Sequence, residues 1–203
     1  MYVYMLPLSP PATAGTSAAA PTRETIVPTP THDGGLEHTA ATFDAPAAWL
    51  ARARANDIIL FPPQFYLLHL VQQQFDLCRN PDDYQAQRDA LVRFLQTTPT
   101  TTTAAAVPLG GGARGGEGKA DATARIAWAD KVMSPATILV RKADGRVVLG
   151  VDKPGPELRG TGRGGDWDRV VLVNFTKAGP RDVEVRWREE VLREEREGAG
   201  AKL

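Results

Sequence analysis

The residues in this chain that could do chemistry fall into a few short groups, and most lack the spacing that the chemistry needs. "GTGRGG", with Gly160, Gly162 and Gly165, satisfies the G-x-G-x-x-G pattern of a dinucleotide loop. That pattern works between a strand and a helix whose N-terminus receives the pyrophosphate. Here a Pro/Gly loop precedes it and a strand-like run follows, so it reads as a flexible turn. "GGARGGEGKA" ends in Gly118-Lys119 like a phosphate loop, but Ala113 stands at the first required glycine. Ala120 also replaces the Ser or Thr that would hold magnesium. His32, His38 and His69 share no metal-ligand spacing, so His38 and His69 could meet only through the fold. Glu37 beside His38 is a candidate acid–base or metal group, although an exposed strand pair explains it more simply. Cys78, the single cysteine, has no histidine nearby in sequence to activate it and reads as a structural thiol. With no disulfide available, a reducing intracellular compartment is expected.

The elements that would position these residues alternate with Pro/Gly/Thr-rich stretches. The chain has 203 residues and 42% hydrophobic content, enough for one real core. Its formal net charge of +0 gives no electrostatic footprint for nucleic acid, so no nucleic-acid partner is expected. "MYVYMLPL" lacks the basic start and apolar length of a secretory signal. Residues 2–8 read as a short strand, 9–35 as a long disordered loop, and "LEHTAATF" (36–43) as a second strand. Helices are expected over 44–96. The first, 44–55, is capped by Asp44 and carries Ala47, Leu50 and Ala51 on its apolar face. The last, Pro81 to Gln96, is capped by Asn80 and turns Tyr84, Leu91, Val92 and Leu95 inward. Residues 97–124 form a low-complexity disordered linker. In the β-rich segment 125–197 the period falls to two. Strands are expected at "ARIAW", at "ILVRK" and "RVVLGV" around an Ala143-Asp144-Gly145 turn, and at "DRVVLVNFTK" and, after Gly179-Pro180, "DVEVRW". "REEVLREEREGAG" should be a solvated helix with charge pairs such as Glu189–Arg193, and 198–203 a tail.

The densest apolar run is "IILFPPQFYLLHLVQQ", Ile58 to Gln73. Ile58 to Val71 is about fourteen residues against the roughly 20 of a membrane-spanning helix, and prolines, Gln64 and His69 interrupt it. No membrane span is expected. Pro62 and Pro63 suit a first helical turn, where a missing N–H costs nothing. Apolar residues follow on every side, which implies burial. Gln64 and Tyr66 would then each need a hydrogen-bond partner.

With its run-up "FDAPAAWLARARAND", this segment resembles the C-terminal half of the peroxisomal coenzyme A diphosphatase branch of the Nudix hydrolases. The residues that carry the resemblance are Trp49-Leu50 and Ile59-Leu60-Phe61-Pro62-Pro63-Gln64-Phe65-Tyr66. "MYVYMLPL" resembles the family strand that follows the Nudix helix. The likeness covers residues 1–95 well and the strands at 125–187 loosely. It implies an α/β (α+β) fold, part of a Nudix-type α/β/α sandwich with a helical insert and long disordered loops. It implies hydrolysis of the pyrophosphate of coenzyme A or acyl-coenzyme A, giving adenosine 3′,5′-bisphosphate and (acyl)phosphopantetheine, with Mg2+ or Mn2+ as cofactor. Gln64, Phe65 and Tyr66 would form the substrate-side wall.

The family's metal-holding helix reads G-x5-E-x7-R-E-U-x-E-E-x-G-U, U being bulky aliphatic, and this sequence does not contain it. "REEVLREEREGAG" comes nearest, but setting Gly198 on the box glycine puts Val191 where arginine belongs. Starting from Arg188 puts Glu190 at the aliphatic position and Leu192 at a glutamate. No catalytic residue and no bound metal are therefore expected, and the chain should be a truncated, inactive form of marginal stability. The alternative is a non-catalytic binding or interaction module derived from such an enzyme. The final Ala201-Lys202-Leu203 is a conservative variant of the S-K-L address, so a peroxisomal import receptor is an expected partner and the peroxisome the expected location.

Overall fold

The computed structural model describes residues 44–80, 83–99 and 122–200. The chain divides into two units, Met1–Asp44 and Ala45–Leu203, and every element described belongs to the second. The strands expected at 2–8 and 36–43, the loop 9–35, Glu37, His32, His38, residues 100–121 and the tripeptide Ala201-Lys202-Leu203 lie outside the described residues.

Helix α1 spans Pro46–Arg54, α2 Pro62–Asp76 and α3 Tyr84–Gln96. Strands β1 (Ala136–Val140), β2 (Val147–Val151), β3 (Asp166–Thr176) and β4 (Gly179–Trp187) follow, then α4 (Arg188–Gly200). The strands form one antiparallel sheet in the order β1-β2-β3-β4. The protein is therefore α+β.

Several expected boundaries move, each for a local reason. Ala45, not Asp44, caps α1: it precedes a proline, is held extended at ψ 146°, and its carbonyl accepts the first helical N–H groups. The buried face of α1 is Leu50 and Ala53, while Ala47 and Ala51 are exposed. In α3 the cap is Asp83 rather than Asn80, because its carboxylate accepts the Ala86 N–H at 2.9 Å. With the start moved to Tyr84, Gln87, Leu91 and Phe94 turn inward and Tyr84 stays exposed.

"ARIAW" is not a strand but two short 3-10 turns, Ala122–Arg125 and Trp128–Asp130. Trp128 leaves the extended path to stack on Phe94, with centroids 4.9 Å apart, and its backbone N–H donates to the Thr97 carbonyl at 3.0 Å. The described residues thus extend into both ends of the 97–124 stretch.

The hairpin at Ala143-Asp144-Gly145 is present. Gly145 takes φ +72° and the Asp144 carboxylate accepts the Arg146 N–H. The second hairpin turns at Lys177-Ala178, so Gly179 and Pro180 open β4 instead of preceding it. Pro180 is tolerated because β4 is an edge strand among the described residues.

Alternate residues of the sheet point to opposite faces. Val148, Val170 and Leu172 face α4 and enclose its Val191, all four fully buried. Burying Val191 contributes about 2 kcal/mol and makes α4 a core element rather than a solvated end. Its glutamates reach the sheet instead: Glu194 pairs with both Arg186 and Arg141. The other pleat carries Leu149, Val171 and Val173 toward the layer of α1 and α2, in which α1 lies against β4 and α2 against β3 and β4. Helices thus cover both faces of the sheet.

Candidate functional site

Helix α2 begins where the sequence places its prolines. Phe61 is the extended N-cap, Pro62 and Pro63 open the first turn, and the Gln64 side chain accepts the Phe61 N–H at 3.0 Å. Two successive prolines remove two of the N–H groups that a helix start would offer an anion. What remains at this end is apolar. Ile59 and Phe61 are large exposed hydrophobics, and Ile59 rests near Gly179 at the start of β4. Together with Gln64 they form a lip at the entry to α2.

Just inside the lip, Phe65 and Tyr66 are fully buried. The Tyr66 hydroxyl donates to Asp166 Oδ2 at 2.6 Å. The same carboxylate accepts Arg169 Nη1 at 2.9 Å and, through Oδ1, the Asp168 N–H at 2.9 Å. Three donors offset the cost of burying this carboxylate. Burial first, and the Asp166 charge second, push the Tyr66 phenol well above its usual range, so it stays a proton donor. Burial, the largest single influence, works against the Arg169 charge, but Asp166, Tyr66 and Asp168 together outweigh it and hold the guanidinium protonated. Arg169 is further flanked by the rings of Trp187 and Trp128, 4.6 and 5.7 Å from its carbon.

One turn beyond Tyr66, His69 and Gln73 overlook a cleft of about 280 Å³. Its floor is four consecutive residues of β4, Glu184 to Trp187, and Glu190 of α4 stands on the far side. Burial first, then the Arg169 and Arg54 cations, lower His69 from 6.5 to about 4, so its imidazole is neutral at pH 7. A second buried pair joins Arg188 to Asp152, with the guanidinium over the Trp167 ring. Gly150 makes room for it, since a Cβ there would meet both partners.

No family model, curated protein or solved structure matches this chain.

Of the residues expected to form a substrate wall, Gln64 closes the helix start, while Phe65 and Tyr66 lie inside the helix–sheet contact. Among the described residues no group of three or more His, Cys, Asp or Glu side chains could hold a metal ion. No described helix is long and apolar enough to cross a membrane. Cys78 is half-buried near the Gln74 carbonyl. In the G-x-G-x-x-G run, Gly160 and Gly162 take positive φ, while Gly165 is pressed against Val151.

Sequence reasoning missed Asp166, Arg169 and Trp187. The signal available was "DWDR", two carboxylates, an indole and an arginine at a strand start after a glycine loop, which is more polar than a buried strand requires.

Proposed function

We propose that this chain is part of a Nudix-type hydrolase of the coenzyme A diphosphatase branch. The residues present supply the side of the pocket that meets the acyl–pantetheine arm, and the metal-holding carboxylates come from outside them. The family reaction cleaves the coenzyme A pyrophosphate with Mg2+ or Mn2+. On this reading these 203 residues bind coenzyme A or acyl-coenzyme A but do not cleave it.

The observation that carries the reading is the start of α2. The P-P-Q-F-Y residues open a helix as the resemblance implies, and Phe65 and Tyr66 anchor it to β3. The prolines leave little there to grip phosphate, whereas Ile59 and Phe61 offer exposed apolar surface to an uncharged arm. Gln64 adds an amide that can hydrogen-bond the pantetheine amides. An α+β unit with helices on both faces of its sheet is compatible with part of a Nudix sandwich.

Calorimetric titration of the chain with coenzyme A and with an acyl-coenzyme A, beside chromatography for adenosine 3′,5′-bisphosphate after incubation with Mg2+ and Mn2+, tests this. Binding of both without product is expected. Absence of binding overturns the family reading, and metal-dependent product overturns the inactivity. A sequence without the Nudix pattern suits a second reading as well, a non-catalytic module. It is distinguished by restoring hydrolysis: joining the chain to an upstream segment carrying the Nudix box yields product only under the first reading.

A further inference from the structure

The cleft beside α2 has an unusual floor. Side chains of adjacent strand residues point to opposite faces, so four in a row can line one cavity only if it lies along the edge of the strand. The floor of this cleft, Glu184 to Trp187, is such a run. Its banks come from opposite layers, His69 and Gln73 on one side and Glu190 on the other, and Arg169 of β3 lines it as well. Among the described residues no strand pairs with this edge of β4. The stretch is also regular: Arg169 to Leu172 pair one-to-one with Trp187 to Glu184, and the bulge lies further back, between Leu172 and Asn174. A slot floored by backbone N–H and C=O groups is built to receive an extended strand.

We propose that its occupant is β4 of a second copy of this chain, paired antiparallel about a two-fold axis at Val185. That register is self-complementary. Glu184 falls opposite Arg186 of the other copy and Arg186 opposite its Glu184, while Val185 meets Val185 and Trp187 meets Val183. Cross-strand pairs of opposite charge and of aromatic with β-branched residues are the favourable kinds. A shift by two residues in either direction sets Glu184 against Glu184 or Arg186 against Arg186 on the axis instead.

The layers allow it as well. Both α2 and α4 touch β3 and β4, which is compatible with axes over the gap between those strands, and α1 touches β4. Paired edges sit ~4.8 Å apart. An axis about half a strand spacing inside β4 is then about 5 Å from the two-fold, and each helix meets its mate at about 10 Å. Packed helices lie about 8–10 Å apart. The α2 faces that meet carry His69 and Gln73, uncharged at neutral pH, and the other charged groups lining the slot, Arg169 and Glu190, are of opposite sign. This inference rests on β4 alone and does not depend on the Nudix reading.

A charge swap tests it on the full chain, with molar mass followed by light scattering across a wide concentration range. The unaltered chain should form dimers. E184R sets Arg against Arg and R186E sets Glu against Glu, so each should weaken dimerisation about tenfold or more. An equimolar mixture of the two should regain it, because each mismatch then meets its opposite. R186E also removes one of the two arginines that hold Glu194, and E184R a carboxylate that holds Arg146, so a second pair of variants guards against loss of fold. V185C in a C78S background should cross-link into a disulfide dimer, and T137C on the far edge strand should not. A monomer at every concentration overturns the proposal. So does a dimer that survives both charge variants, or one that binds through β1, because its surface would then lie elsewhere.

Discussion

Tyr66 and Asp166 stand 100 positions apart in sequence and share a buried hydrogen bond of 2.6 Å. The bond ties the helix that opens on Pro62-Pro63 to the first residue of the strand at the centre of the polar cluster. Tyr66→Phe removes one of three donors from a carboxylate that keeps Arg169 and the Asp168 N–H. It should cost about 1–2 kcal/mol in urea unfolding. Asp166→Ala instead strands the Arg169 guanidinium in the interior and should cost about 3–5 kcal/mol. Equal costs would mean that the carboxylate is not the hub.

Acid should weaken the fold through His69. Its folded pKa of about 4 lies below the usual 6.5, so as pH falls the unfolded chain takes up the proton first. The stability from this group is complete above pH 6.5, declines as pH falls toward 4, and is flat below that. Replacing His69 with Gln should flatten the difference between urea midpoints measured at neutral pH and near pH 5. An unchanged slope would show that other groups set it.

The glycine run at 160–165 should behave as packing rather than as a phosphate loop. A Cβ on Gly165 would sit 1.9 Å from the Val151 carbonyl oxygen and 2.4 Å from Met133 Cγ, so Gly165→Ala should cost about 3 kcal/mol. Gly162→Ala meets nothing nearby and carries only the strain of φ +76°, about 1 kcal/mol. Gly162→Ala should leave coenzyme A binding unchanged, and a loss of affinity there would reinstate the loop as a site.

The reason for these contrasts bears on what the sequence could disclose. The Pro-Pro helix start and the Asp-Gly hairpin turn are local features, written in neighbouring residues, and they appear where the spacing puts them, while the two long strands appear with their ends moved by a few residues. The demand that Gln64 and Tyr66 find partners was also legible. The partner of Gln64 is three residues away; that of Tyr66 is on a distant strand that no local pattern names. Trp128 was misassigned to a strand for the same reason, since its position is decided by Phe94 on another helix. Val191 hides its role among glutamates, because one apolar residue per turn gives almost no periodic signal.

The C-terminal tripeptide can be tested apart from the fold. A fluorescent protein extended by residues 192–203 should collect in peroxisomes, and the same fusion with one residue added after Leu203 should stay diffuse. A diffuse signal from both would remove the peroxisomal assignment.

The central claim is that these residues hold coenzyme A through the α2 lip without cleaving it. Titration calorimetry of the chain and its Phe61→Ala variant with an acyl-coenzyme A, in buffer containing Mg2+, tests it most directly. The account predicts saturable binding, weakened about tenfold by losing the exposed ring, a change of roughly 1.4 kcal/mol, with no adenosine 3′,5′-bisphosphate released. No binding, or binding indifferent to Phe61, would contradict it.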